Sequence, residues 1–140
     1  MLFKLPAAWL MGVKVSMINN SSCICTLKYR WINQNPFKSI FWAAQGMAAE
    51  FATGVLLMRE IELSNKNISM LLVDVEAKFT KKATGKISFK CDKGLMIKEK
   101  VGSLNSQKTK STMWIDSIGI DETGEEVSKF KFNWSILFKK

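Results

Sequence analysis

A chain of 140 residues, 47% of them hydrophobic, has the length of one domain and enough apolar material to remove about 70% of its unfolded surface from water. It contains no histidine, which excludes Ser-His-Asp and Cys-His catalysis within one chain and takes away the commonest ligand of zinc and iron sites, so no metal or other cofactor is expected. The net charge of +9 raises nucleic-acid binding, but the lysines are spread over the polar faces of the predicted strands instead of forming a stripe with aromatics, and no nucleic-acid partner is expected.

In chain order, Leu2 to Met11 reads as a short helix or turn with Pro6 in its first turn; Pro6 interrupts the apolar run and Lys14 ends it, which reads against a signal peptide. Val13, Val15 and Met17 then alternate with polar residues. The turn Asn19-Asn20-Ser21-Ser22 leads into a second alternating run, Cys23, Cys25, Leu27, Tyr29 and Trp31, giving an antiparallel hairpin with one wet face. Cys23, Cys25 and Cys91 are odd in number, and the first two face the same side, so they read as buried apolar residues and not as a disulfide framework.

The segment Asn35–Gly54, NPFKSIFWAAQGMAAEFATG, is the long stretch without alternation and reads as one buried helix, with Asn35 as N-cap, Pro36 at the first helical position and an end near Met58. Its many Ala and Gly residues let covering elements approach closely, and they predict a helix wrapped on all sides. Ile40 to Met58 carries Gln45 and Glu50 and is built of Ala and Gly, so it reads as a core helix and not as a membrane span; no membrane partner and a cytoplasmic location are expected. Burying Glu50 without a partner is costly, which makes it either a functional carboxylate or one paired across a dimer interface. Gln45 and Thr53 are either pocket-lining or satisfied within the packed helix.

Leu71 to Phe79 gives the clearest period of two, Lys82-Ala83-Thr84-Gly85 turns it back, and Ile87, Phe89 and Cys91 continue in a paired strand. The lysines of this predicted hairpin, Lys78, Lys81, Lys82, Lys86 and Lys90, are dense enough to meet a nucleotide phosphate, or else form a solvated face. Leu95 to Leu104 predicts a short helix from the spacing of Ile97, Val101 and Leu104. Strands follow at Met113–Ile120 and, after the turn Asp121-Glu122-Thr123-Gly124, through Phe130, Phe132, Trp134, Ile136 and Phe138. No linker or repeat divides residues 1–140, so the expectation is one α+β domain, a six-stranded antiparallel sheet curled round one dominant helix, with open edges that favour a homodimer.

That order of elements, the helix NPFKSIFWAAQGMAAEFATG and the later segments VDVEAKFTKKATGKISFKCDKG and GEEVSKFKFNWSI resemble the hotdog-fold thioesterase-like superfamily, in a branch related to phenylacetate-pathway acyl-CoA thioesterases. The resemblance implies a single hotdog domain and hydrolysis of an acyl-CoA or acyl carrier protein thioester by a homodimer or dimer of dimers. In active members an Asn or Gln precedes the helix, a His-Gly-Gly motif opens it, and an Asp or Glu lies nine residues after that His. With the carboxylate on Glu50, Asn35 takes the polar position, and Phe41, Trp42 and Ala43 stand at His-Gly-Gly. The resemblance thus implies Glu50 as base or nucleophile with Asn35, the backbone N–H groups of Trp42 and Ala43 as oxyanion donors, and Phe41, Gln45, Thr53, Lys81, Lys82 and Lys86 as ligand contacts. The large side chain of Trp42 in place of a glycine supports an alternative, a hotdog protein that binds an acyl ligand without hydrolysing it or serves a structural role.

Overall fold

The computed structural model describes residues 4–140, and the Leu2-Phe3 part of the expected N-terminal helix lies outside the described residues. The elements are α1 (Pro6–Met11), β1 (Lys14–Ile18), β2 (Cys23–Lys28), α2 (Trp42–Ser64), β3 (Ile68–Phe79), β4 (Lys86–Cys91), α3 (Gly94–Gly102), β5 (Lys110–Ile120) and β6 (Glu126–Phe138). The six strands form one antiparallel sheet in the order β1-β2-β4-β5-β6-β3, and α2 packs across its concave face. The α+β class, the six strands and the single dominant helix are those the sequence predicts.

Alternation explains the core. Leu27, Ile87, Phe89, Ile115, Phe130 and Ile136 point from successive strands to the concave face and are buried there against Ala44, Ala48, Ala49 and Ala52 of α2. The helix can approach this closely because Gly46 and Gly54 face large aromatics: a Cβ on Gly46 would lie 3.6 Å from Phe130, and one on Gly54 3.5 Å from Trp134. The three cysteines are free and buried in the same layer, Cys23 directly opposite Cys91, and burial pushes the Cys91 thiol up to about 12, as suits apolar packing residues.

Five expectations are corrected. Helix α2 begins at Trp42 and not Asn35, and runs to Ser64 and not Met58. It is not wrapped on all sides, since Trp42, Met58 and Leu63 are exposed. Strand β2 ends at Lys28 because Asn33, buried in a 3-10 turn (Trp31–Asn33), pulls the chain out of the sheet: its Nδ2 donates to the Lys28 and Met11 carbonyls, and its Oδ1 accepts from the Arg30 N–H.

The largest correction is topological. β3 and β4 do not form a hairpin; β5 and β6 lie between them, and β3 pairs along its length with β6 to become the far edge of the sheet. A bulge between Leu72 and Asp74 reverses the facing of β3, so Val75, Ala77 and Phe79 stand on the concave side opposite Phe132, Phe130 and Ser128, beyond the cover of α2. The concave face therefore continues past the helix as an exposed apolar strip that ends at an open strand edge.

Candidate functional site

The chain reaches α2 through a tight closed loop. The Asn35 side chain organises it: Oδ1 accepts from the backbone N–H groups of Phe37 and Ser39, and Nδ2 donates to Ser39 Oγ at 3.0 Å. Lys38 takes a left-handed conformation (φ 59°) to close the turn, and the loop is tied at its ends by Asn35 N–H to the Ser39 carbonyl and Ile40 N–H to the Ala83 carbonyl, both 2.8 Å. Asn35 is therefore not the N-cap of the helix. That position falls to Phe41, whose side chain cannot cap, so the first N–H groups of α2, those of Trp42 and Ala43, have no acceptor among the described residues.

Between this loop and the segment after β3 lies an open cavity of about 550 Å³. Six of the predicted site residues line it together: Asn35, Phe41, Trp42, Gln45, Lys81 and Lys82, joined by Phe37 and Phe79. Phe79 stands edge-on to Phe130 with ring centroids 5.6 Å apart, which joins the cavity wall to the core. Gln45 is buried and spoken for at both ends, its Oε1 accepting from Ser128 Oγ at 2.8 Å and its Nε2 donating to the Ile40 carbonyl at 3.4 Å; it fastens the loop and helix to β6.

The other predicted residues sit differently. Thr53 is fully buried, its hydroxyl donating to the Glu50 carbonyl at 2.8 Å and accepting from Trp134 Nε1 at 3.0 Å, so it holds helix to sheet and does not line the cavity. Lys86 opens β4 beside Lys28, and its backbone N–H is taken by Glu122. The expected lysine cluster is dispersed by the topology, with Lys78 on β3 and Lys90 on β4 about 14 Å apart across three strand spacings. Lys81 is held by Asp121 at 2.7 Å and Glu125 at 3.3 Å; the hydrogen bond with Asp121 raises the lysine's pKa and holds the Asp121 carboxyl well below its usual range. The Lys82 ammonium lies 6.0 Å from the Phe37 ring centroid and makes no ion pair among the described residues.

Glu50 lies one and a half turns beyond Gln45, about 7.5 Å further along the helix axis. It shares a stripe of α2 with Gly46 and Gly54, one facing Phe130 and the other Trp134, so this stripe looks onto β6 and the open β3 side of the concave face. The carboxylate is half-buried and has no hydrogen-bond or ion-pair partner among the described residues. Burial alone raises its pKa above the ordinary carboxylate value. Glu50 does not line the cavity that holds Asn35 and Trp42, and burial makes its carboxylate a stronger base than an ordinary glutamate.

Sequence reasoning missed the loop, because Asn-Pro reads equally as a helix start and as an Asx turn, and it missed Phe37 and Phe79 as cavity walls. The Lys38-Ser39 pair after Pro36, polar where a buried helix needs apolar residues, was the available signal.

A family model described as a domain of unknown function, DUF4442, matches residues 1–136. No curated protein matches the chain. Among solved structures, the chain is similar to PA5026 of Pseudomonas aeruginosa, described as a protein of unknown function and probable thioesterase, at 15% identity and a TM-score of 0.83, covering 99% of this chain and 91% of that one. It is similar to the thioesterase SAV0944 of Staphylococcus aureus, solved as a glutamine-to-alanine variant, at 10% identity and a TM-score of 0.72, over 94% and 98% of the two chains. A variant of the thioesterase PA1618 of Pseudomonas aeruginosa, again glutamine-to-alanine, matches at 12% identity and a TM-score of 0.69, over 99% and 95%. Agreement over nearly the whole of both chains identifies the hotdog fold.

Proposed function

The chain belongs to the DUF4442 family, a domain of unknown function, and from its hotdog fold and the geometry round α2 we propose that it hydrolyses acyl thioesters of coenzyme A or of an acyl carrier protein. The observation that carries this reading is Glu50, a half-buried carboxylate without a partner on the helix stripe that faces the open concave strip. The spacing adds support. SAV0944 has been solved with a glutamine and, separately, a glutamate replaced by alanine, two positions fifteen residues apart, the separation of Asn35 and Glu50 here.

In this mechanism Glu50 accepts a proton from water as the water oxygen attacks the thioester carbonyl. Along one helix the N–H groups of Trp42 and Ala43 lie about 10–12 Å from Glu50, so in this mechanism the oxyanion is met by those of a second copy, which the helix dipole reinforces. Collapse of the tetrahedral intermediate breaks the C–S bond, and the proton held by Glu50 passes to the departing thiolate, leaving a carboxylic acid and a free thiol. Asn35 shapes the loop that presents these donors, and its second amide hydrogen remains for the substrate. Phe41 and Phe79 offer walls for the acyl group, and Lys82, free of carboxylates, suits a phosphate of the carrier. The exposed β3 edge, with Val75 and Phe79 beside it, suits antiparallel pairing with a second copy, which would close the strip that Glu50 faces and place the site between two subunits.

Trp42 favours a second reading. Its large exposed side chain stands at the helix start, where a substrate carbonyl must come close to the backbone, and this supports an acyl-binding protein without turnover. One experiment separates the two: release of free thiol from a panel of short, long and aryl acyl-coenzyme A substrates, with Glu50→Ala in parallel. The thioesterase reading expects turnover that falls by about 10²–10⁴ in Glu50→Ala. Binding of the same substrates without turnover by the wild-type protein would establish the second reading instead.

A further inference from the structure

A second surface, away from Glu50, is not used by this mechanism. Where α1, the start of β1 and the 3-10 turn meet, an open groove of about 550 Å³ is lined by Trp9, Leu10, Lys14, Arg30 and Trp31. The apolar side chains in it are strongly exposed, Trp9 by 52%, Leu10 by 50% and Trp31 by 82%. The backbone beneath them is firmly built. The Arg30 guanidinium donates to the Leu10 carbonyl at 3.1 Å and occupies the space beside Gly12, and the buried Asn33 amide ties the Met11 carbonyl to that of Lys28. Two indoles and a leucine are thus held out into solvent by a fixed frame.

The charge round them is of one sign. The charged side chains lining the groove are Lys14 and Arg30, both cationic, and residues 1–49 contain no Asp or Glu. Asp121 is paired with Lys81, and Glu122 accepts from the N–H of Lys86, the residue opposite Lys28 at the end of β2. Indole rings sit well at the boundary between head groups and acyl chains, long cationic side chains reach phosphates from an apolar base, and the lack of acids removes repulsion from an anionic surface. No helix among the described residues is long and apolar enough to cross a membrane, so contact of this kind is superficial.

We propose that this chain docks peripherally on bilayers containing anionic phospholipid, with Trp9, Leu10 and Trp31 entering the head-group layer and Lys14 and Arg30 meeting the phosphates. The test is co-sedimentation with large unilamellar vesicles of phosphatidylcholine, alone or with phosphatidylglycerol added, at low and high salt. Binding to the phosphatidylglycerol vesicles is expected to be at least about tenfold tighter and to weaken with salt. Trp9→Ala/Trp31→Ala and, separately, Lys14→Glu are expected to lose about tenfold each. All three side chains are exposed, so the variants should melt as the wild type does, and Lys14→Glu serves if the double variant does not.

Equal binding to both vesicles, or variants that bind as the wild type does, would overturn the proposal. So would a double variant of lower mass in size-exclusion chromatography, which would give the groove to a second copy, or capture of polyglutamate that the same double substitution abolishes, which would give it to an acidic protein. Vesicle binding is read without any thioester, so this proposal and the hydrolase reading fail separately.

Discussion

The two ends of α2 are finished in opposite ways. At its C-terminal end, Leu56 and Leu57 are buried, and α3 packs alongside with Ile97 and Val101 turned inward. The chain leaves through Asn65 in a left-handed C-cap whose N–H returns to the Glu62 carbonyl. Lys66 then crosses to α3 and donates to the carbonyls of Val101, Gly102 and Leu104, the last at 2.7 Å, so that the cationic end of one side chain closes the negative end of a neighbouring helix. At the N-terminal end the capping position is a phenylalanine, the first N–H groups are left open, two aromatics are exposed, and the only carboxylate of that half has no partner. Polar groups left unsatisfied cost stability. The contrast lies in how the chain enters and leaves the helix, closed by a C-cap at one end and without a side-chain cap at the other; it does not extend to every side chain, since the C-terminal half also carries the buried Glu60 and an Arg59 Nη1 with no partner among the described residues.

That contrast is most severely tested by Leu57→Ala. Leu57 is fully buried, and its truncation is expected to cost about 2–5 kcal/mol in chemical denaturation. Thiol release measured well below the denaturation midpoint should change little; a loss comparable to that of Glu50→Ala would mean that the two ends of the helix are not separable. Lys66→Ala, which opens the α3 carbonyls, is expected to cost about 1 kcal/mol, again with activity preserved. A neutral result would show that water replaces the ammonium at no cost and that this end is less complete than its hydrogen bonds suggest.

The same contrast marks what was legible in the sequence. The elements whose partners are local in pattern were readable: the alternation of β5 and β6, the i, i+4, i+7 spacing that buries Ile97, Val101 and Leu104, and the small-residue face of α2. Pairing between distant segments was not. Val75 and Phe79 alternate as core residues should, and nothing local says that β3 goes to the sheet edge or that a bulge near Val73 turns them onto an uncovered strip. The lysines of Lys78–Lys90 looked clustered only because a hairpin was assumed. At the site, Glu50 stood out by the cost of burying a carboxylate and Asn35 by its place before Pro36, with the resemblance adding their expected roles, whereas the contacts of Gln45 and Thr53 depend on Ser128 and Trp134, more than 80 residues away in the chain and brought close only by the fold.

The smallest expected effect, and the sharpest, concerns Glu50 itself. Because burial raises its folded-state pKa, the folded protein holds more protons than the unfolded chain over the window from the ordinary value of 4.5 up to the raised one. Stability therefore falls as pH rises through that window, and above it the burial cost is fully present. Glu50→Gln keeps the shape and removes the charge. It should raise the urea midpoint slightly at neutral pH and lose that advantage near pH 4, where the wild-type carboxyl is also neutral. The same variant should lack thioester turnover, and in the wild type kcat/KM should rise with pH through an apparent pKa above the usual glutamate range, since only the ionised carboxylate can take the proton from water. A variant that is more stable and inactive is what an unpartnered base produces. If Glu50→Gln instead lowers the urea midpoint at neutral pH, the carboxylate has a partner that the isolated chain does not contain, and the open end of α2 is completed by a second subunit for structural reasons.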